Sequence, residues 1–450
     1  MSNISSSWDT LFNKSFNNIH NNIHCNYDLK LDNLYGLENK RIDYTHLNIY
    51  SIDPPKCSDA DDAFSIYKDE DNNIHLMIHI ADPTAWFNPN DKLFEDIINN
   101  GCTVYLSNRE PDHLFPNNIL ENSSLTNGIK NVVIVHTILK PLYKPSKMFD
   151  IIKTTIEYGI IDCNNGKRFT YDEAADFMYN DITLYLGVDI AKHFYSQRQN
   201  NNNFDSFIFS ELIFTIPKVV DDVVILIQDS KEVNVMKAMI GEFAIHANTI
   251  FANGLDDDNL FLRTLVLPSK LNNSNNNIIH DLIKDGISAN YKSDKLKHDL
   301  IGSYYTHSTS PLRRASDCIV HFLLKAKYLN IDKPFNDIQL KQFAEKLNSI
   351  NKEMKNIQYK DIKLRTFQWI AEELECRLNS IKMKVKFISF KAPFVNLMII
   401  GIDNMDVNIP YTLKRKQLKK NQEYFNINIT KINYYNKYDE GTLPEIDELL

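Results

Sequence analysis

Long apolar runs are missing from this chain of 450 residues: Val132–Leu139 and Phe394–Ile402, among the longest, fall well short of the roughly 18 to 20 residues that cross a bilayer. No membrane span is expected. Met1 to Asn13 has neither a basic start followed by an apolar run nor an Arg-rich amphipathic pattern, so no secretory or organellar address is expected there. Cysteine is sparse. Six residues, at positions 25, 57, 102, 163, 318 and 376, form no CxxC pair, which argues against a disulfide scaffold or zinc knuckle and for a reducing compartment, the cytoplasm. An excess of positive charge is also lacking: 50 Lys and Arg against 58 Asp and Glu give a net charge of -8, so any nucleic-acid contact must be made in a local groove that concentrates cations. No fixed-period repeat suggests a solenoid. No GxxxxGK[ST] loop is present either, so an NTPase reading has no support and no nucleotide cofactor is expected.

What is present is a globular composition, 43% hydrophobic, 24% charged and 11% aromatic, in a chain long enough for about three domains of roughly 150 residues. Asn-rich tracts at 17–22, 200–203 and 272–277 read as surface loops, because such segments bury too little apolar area to offset their ordering entropy. Residues 1–45 are too few and too polar for an independent domain. Beyond them, Ile74, Leu76, Ile78 and Ile80 alternate with His75, Met77 and His79, which predicts a hairpin with Ala63–Tyr67 across a polar turn. Strands are also expected at Val132–Leu139 and Val223–Ile227. Val233, Met236, Ile240, Phe243, Ala247 and Ile250 recur at helical spacing, as do Leu340, Phe343, Leu347, Ile350, Met354 and Ile357 in a stretch without Pro or Gly. A third helix is expected to start with Ser310 as N-cap and Pro311 at its first position. Period two returns at Val385, Phe387 and Ser389 and again at Phe425, Ile427 and Ile429. The expected fold is mixed α and β (α+β), with a small β domain at 380–450.

The densest chemical signal lies between residues 53 and 62, where Asp53, Asp59, Asp61 and Asp62 fall within ten positions at the entrance to the hairpin. Carboxylates this close raise one another's pKa or require a cation, and an all-oxygen donor set suits Mg²⁺ or Mn²⁺. A solvated acidic loop is the alternative. An EF-hand does not fit, since Ala63 and Phe64 stand where a ligand and Gly are needed. A second signal is Tyr305-Thr-His-Ser-Thr-Ser-Pro-Leu-Arg-Arg314, which places Arg313 and Arg314 in the first turn of the expected helix against its dipole. Such a turn offers N–H groups and guanidinium donors to phosphate oxygens. The competing reading pairs both arginines with Asp317. Together the two segments suggest phosphoryl transfer: metal-holding carboxylates facing an arginine that neutralises developing charge.

Three strings in order, Asp53-Pro-Pro-Lys-Cys-Ser-Asp59-Ala-Asp61-Asp62-Ala, Ile80-Ala-Asp-Pro-Thr-Ala-Trp86 and the Tyr305 to Arg314 element, closely resemble the ribonuclease II family, whose catalytic module is the RNB domain. The resemblance implies an RNB-like catalytic domain at 46–378 followed by an OB-type RNA-binding domain at 380–450. It also implies a 3′-to-5′ exoribonuclease that hydrolyses single-stranded RNA to nucleoside 5′-monophosphates by a two-metal, Mg²⁺-dependent mechanism. By motif, Asp53, Asp59, Asp61 and Asp62 correspond to metal-binding carboxylates. Asp61 is the one most tied to catalysis, and Arg313 is the transition-state arginine. Tyr105 is similar to the family tyrosine that stacks on the terminal base, and Phe209 to its clamp partner; for both, a core role competes. Tyr171, Glu242 and Arg314 are further candidates for RNA contact.

Departures accompany the likeness. Gly241-Glu242 stands where the family has two adjacent glutamates, and Gln358 where another acidic residue is expected. Residues 1–45 cannot hold the cold-shock domains that precede the module in many relatives. Lys414, Arg415, Lys416, Lys419 and Lys420 could track phosphates or form a solvated loop. These departures support a rival, a catalytically weak RNB-fold protein that binds RNA or acts as a scaffold. A phosphatase for small phosphate esters is a third reading.

Overall fold

The computed structural model of the protein describes residues 31–32, 34–55, 57–106, 109–144, 147–201, 214–220, 223–228, 230–267, 288–376, 381–391, 394–399, 406–410, 425–433 and 445–448. Phe209 and the basic run from Lys414 to Lys420 lie outside these residues.

The hairpin predicted from alternation is present as β3 (Asp62–Lys68) and β4 (Ile74–Ala81), in a register that sets Phe64 opposite Ile78 and Ile66 opposite Leu76. Its turn closes where Asp69 accepts the Asn73 N–H at 2.8 Å and Asn72 takes φ +61°. Around this hairpin a seven-stranded sheet runs in the order β1-β6-β5-β4-β3-β2-β7, adding β1 (Ile42–Asp43), β2 (Ile49–Asp53), β5 (Ile129–Lys144), β6 (Lys147–Asp162) and β7 (Gly166–Thr170). Only the two edge pairings, β1 with β6 and β2 with β7, are parallel.

Helices pack against the sheet and against one another. In chain order they are α1 (Lys92–Asn100), α2 (Asn117–Ser123), α3 (Tyr171–Phe177), α4 (Ile182–Asn201), α5 (Lys231–Gly254), α6 (Ala315–Leu329) and α7 (Asp337–Cys376). Ser230 caps α5 by accepting the Val233 N–H at 3.1 Å, and the expected stripe buries Val233, Met236, Phe243 and Ala247. Phe243 meets Phe64 of the hairpin edge-on at 5.4 Å. Leu340, Leu347 and Met354 bury the matching stripe of α7. A ribbon of β10 (Leu262–Thr264) and β11 (Asn290–Lys292) pairs Arg263 with Tyr291. The expected C-terminal strands form a second sheet in the order β14-β13-β12-β15-β16, and the hairpin β8 (Phe214–Val220) and β9 (Val223–Gln228) joins it through a Val223–Lys382 bridge. The strands of that sheet are β12 (Ile381–Lys391), β13 (Phe394–Ile399), β14 (Asp406–Pro410), β15 (Phe425–Asn433) and β16 (Glu445–Glu448). Among the described residues no helix is long and apolar enough to cross a membrane.

One expectation fails. The helix does not begin at Ser310-Pro311 but at Ala315, with Arg314 as its cap in extended conformation, φ −138° and ψ 124°. The reason is tertiary. Residues 312–315 direct their backbone groups to other partners: the Leu312 N–H to Asp61 (2.7 Å), the Arg313 carbonyl to Thr103 N–H (3.0 Å) and the Ala315 N–H to the Gly101 carbonyl (2.9 Å). Gly101 itself needs its left-handed φ of +75°, and a Cβ there would lie 2.7 Å from Ile350 of α7.

The body also buries ionisable groups. Asp82, fully buried after β4, accepts from Lys325 of α6 (2.7 Å), Arg41 (2.5 Å) and Thr84 (2.7 Å), while Lys325 also donates to the Tyr35 carbonyl at 2.6 Å. Burial lowers the imidazole pKa of His79 to about 3 and of His246 to about 4. The Ser65 hydroxyl donates to the Asn48 carbonyl and so accepts from His79 Nε2 at 2.9 Å, leaving Nδ1 buried without a partner. A folded-state pKa this low means that the unfolded chain takes up the proton first, near pH 6.5. The histidine's contribution is therefore present above that value and is lost as pH falls toward 3. Relative to His79→Gln, the wild type should lose up to about 1.4 kcal/mol per pH unit between roughly pH 6 and 4, read as the difference in urea unfolding free energy. Parallel pH profiles for the two proteins would contradict this.

Candidate active site

Asp53 closes β2 and Asp62 opens β3, so the acidic loop between them is a strand-to-strand crossing held at both ends by the sheet. It is also clamped along its length. The Ala60 N–H donates to Ser124 Oγ (3.0 Å), the Leu125 N–H to the Ala60 carbonyl (2.9 Å) and the Ala81 N–H to the Asp61 carbonyl (2.8 Å). These bonds order the Ala60–Asp61 end of the loop, where Asp59 and Asp61 are buried, while Pro54, Pro55 and Ser58 are exposed.

These clamps aim Asp61 at a partner 252 positions downstream. Its Oδ1 accepts the Leu312 N–H at 2.7 Å and its Oδ2 accepts Arg313 Nε at 3.0 Å. Burial pushes the Asp61 carboxyl up to about 8, with Arg313 pulling the other way. The Arg313 side chain remains 45% exposed, with one terminal nitrogen donating to Ser310 Oγ at 2.9 Å. It is thus fixed through Nε with its outer edge open. The two arginines have divided their work. Arg314 makes a two-point pair with Asp317 (2.8 and 3.0 Å), and Asp317 also accepts the Ser310 N–H at 2.8 Å. The reading that gave both arginines to Asp317 holds for Arg314 alone.

The other carboxylates are disposed differently. Asp59 accepts the Tyr105 hydroxyl at 2.5 Å, and the Tyr105 ring is 39% exposed at the rim. The Cys102–Arg314 bridge ties the Tyr105 segment to the arginine segment. Asp62 is pushed up to about 7, first by burial and then by the charge of Asp53. Asp53 is raised by burial, against the pull of a Ser51 hydrogen bond and of Arg168, and by the charge of Asp59. Its buried Oδ2 has no hydrogen-bond donor, the Arg168 Nε standing 3.6 Å away.

Do these residues fit a divalent cation? Among the described residues no three His, Cys, Asp or Glu side chains are grouped to enclose one by themselves. Asp53 and Asp62 nonetheless supply hard oxygens with mutual repulsion and, at Asp53 Oδ2, an unsatisfied buried acceptor. That is the donor set Mg²⁺ takes, since it is held by one or two carboxylates and completes its shell with water and substrate phosphate. The fit is to those two carboxylates, with Asp59 and Asp61 engaged by Tyr105 and Arg313.

The remaining candidates sort by position. Tyr171 follows the N-cap Thr170 of α3, and its phenol pKa is raised by burial and then by Asp62 and Asp53, which sets it beside the acidic group. Glu242 is not with them. It is fully buried on α5 in a two-point ion pair with Arg198 of α4, one contact at 2.6 Å. Arg168, from the edge strand β7, was invisible in the sequence, because its place opposite Ser51 is set by a parallel pairing across more than a hundred residues.

Comparison with known proteins identifies the fold. The sequence matches the RNB domain over residues 41–284 and 261–330. It is 26% identical over 335 residues to the human exosome complex exonuclease RRP44, covering 63% of this chain and 34% of that protein. It is 22% identical over 387 residues to the Arabidopsis thaliana chloroplastic/mitochondrial ribonuclease II, covering 81% of this chain and 46% of that one. The chain thus spans between a third and a half of these relatives' length. Among solved structures, the apo form of Mycoplasma genitalium RNase R superposes with a TM-score of 0.71 at 17% identity, covering 99% of this chain and 78% of that one. Yeast Ssd1, described as a pseudonuclease, gives 0.66 at 15% identity over 90% of this chain and 55% of its own. With a domain match that takes in well over half of its residues, the chain belongs to the RNB domain family.

Proposed function

We propose that this chain is a divalent-metal-dependent exoribonuclease that hydrolyses single-stranded RNA from the 3′ end to nucleoside 5′-monophosphates. The observation that carries this reading is the meeting of Asp61 with Leu312 and Arg313, beside the mutually repelling Asp53 and Asp62, with Asp53 Oδ2 a buried acceptor left unsatisfied. Mg²⁺ or Mn²⁺, two ions in the family pattern, would be held by Asp53 and Asp62, joined by Asp59 once Tyr105 yields and by Asp61 through the lone pairs that Leu312 and Arg313 leave open, and would polarise the phosphate and acidify water. Arg313, fixed through Nε by Asp61, points its remaining donors outward, where they can neutralise non-bridging oxygens as charge develops. Arg314 and Asp317 hold the backbone turn that sets this angle. Tyr105 and, from outside the described residues, Phe209 are the proposed base-stacking pair, and Tyr171 lines the acidic end; stacking accepts any base. Glu242 serves, in this reading, as a packing anchor. We further propose the division 46–378 for catalysis and 380–450 for RNA binding, with residues 1–45 as a short leading segment whose Arg41 and β1 pack into the catalytic body, and the cytoplasm as the site of action.

A second reading, an RNB-fold RNA binder or scaffold without turnover, draws on two observations. Asp59 and Asp61 are both engaged by protein groups, and yeast Ssd1 shares the fold. A time course on 3′-labelled single-stranded RNA separates the two. Nucleoside 5′-monophosphates should accumulate with Mg²⁺ and cease with EDTA, while tight binding with no product at any Mg²⁺ concentration would favour the second reading.

A further inference from the structure

Arg263 is a cation with no carboxylate. On β10 its guanidinium lies 4.6 Å from the centre of the Tyr291 ring, its cross-strand neighbour, and no hydrogen bond or ion pair satisfies it among the described residues. Asp317, which pairs with Arg314 behind Tyr291, is already engaged by Arg314, the Ser310 N–H and Ser316 Oγ. A half-buried guanidinium without a counter-charge is costly to hold unless an anion completes it. A second cation faces the same ribbon. Asn348 of α7 clasps Tyr291 by both its N–H (2.7 Å) and its carbonyl (2.9 Å), and Lys355 lies seven positions, two turns, further along the same face of α7. Partial burial, and then repulsion from Arg263, depress the Lys355 ammonium pKa. Two like charges are thus brought near one another by the ribbon and the helix, and among the described residues no carboxylate is paired with Arg263. Tyr291 also fixes where Arg263 sits, since its hydroxyl bonds Ser316 Oγ at 2.8 Å in the first turn of α6, three residues after Arg313 in the chain.

The geometry points to a phosphodiester seat formed by Arg263 and Lys355, which holds a backbone phosphate of the RNA strand next to, and distinct from, the linkage presented to Arg313. This inference rests on the exoribonuclease reading for the identity of the strand. Its chemistry is that of a charge-assisted clamp. The guanidinium is oriented by the aromatic face and donates through its edge, and the ammonium adds a movable second donor, so the site reads backbone and no base.

The test is the salt dependence of binding. A short single-stranded oligoribonucleotide is titrated against the full chain in EDTA, for the wild type, Arg263→Gln, Lys355→Gln and the double variant. Each lost phosphate contact should flatten the slope of log K against log salt by about 0.7. Equal slopes in all four proteins, with the wild type binding RNA, would overturn the seat and leave the exoribonuclease reading intact. Flattened slopes in a wild type that releases no mononucleotide would do the opposite. A wild type that does not bind RNA would remove both. Competition by AMP separates the strand from a free phosphate: loss of AMP competition in the variants with unchanged RNA slopes would overturn the proposal. Lys355 is exposed on α7, so Lys355→Gln carries the test alone if Arg263→Gln fails to fold.

Discussion

Asp61→Asn should reduce single-turnover release of mononucleotides from 3′-labelled RNA by about 10²- to 10³-fold, with RNA affinity within a few-fold of the wild type. The asymmetry follows from what the carboxylate touches. An amide can still accept the Leu312 N–H through its oxygen, so the backbone turn survives. It cannot hold Arg313 Nε with a charge, and its NH₂ would confront that donor directly. Arg313 is then free to leave the angle at which its outer nitrogens meet phosphate. The proposed aromatic and phosphate contacts elsewhere are untouched, which is why binding should persist. Undiminished turnover in the variant would remove Asp61 and Arg313 from the proposed centre. Arg313→Lys gives an independent check: a point charge cannot keep both the Asp61 and Ser310 contacts while reaching outward, so a loss of similar size is expected.

Asp82→Ala should destabilise the catalytic body by about 3–5 kcal/mol, measured from urea unfolding, while leaving the chemistry of the folded fraction unaltered. Asp82 is the negative centre of a fully desolvated group in which Lys325 and Arg41 are the cations. Removing the acid strands both. Lys325, whose ammonium pKa is already lowered to about 8 by burial, would lose the charge that keeps it protonated. Lys325→Met should cost less, because Arg41 still answers Asp82 and the new side chain fills apolar space on α6. If Asp82→Ala unfolds at the wild-type urea concentration, the network contributes specificity at most.

Much of this was legible in the sequence, and the boundary of legibility has a physical cause. The β3–β4 hairpin could be read because alternation and turn are local properties of about twenty residues, and α5 because its stripe and its Ser230 cap are local too. The start of α6 could not. Ser310-Pro311 satisfies every local rule for a helix N-terminus, yet the N–H groups of residues 312 and 315 are claimed by Asp61 and Gly101, partners no window around them contains. Glu242 shows the same limit from the other side: its position on the helix was right, but the Arg198 that occupies it comes from a helix whose packing the sequence does not announce. Among the aspartates, the motif named all four as candidates. Which of them keep open oxygens depends on Tyr105 and Arg313, and so on the assembled body.

The span of 252 positions between Asp61 and Arg313 also times the completion of this site on the ribosome. A ribosome adding about 5–20 residues per second needs roughly 13 to 50 seconds to pass from one to the other, and longer before α6 clears the exit tunnel. Throughout that interval the acidic loop can fold into its sheet, but the guanidinium that would complete it is still unmade. A nascent copy therefore lacks the Asp61–Arg313 pair until translation has passed residue 313.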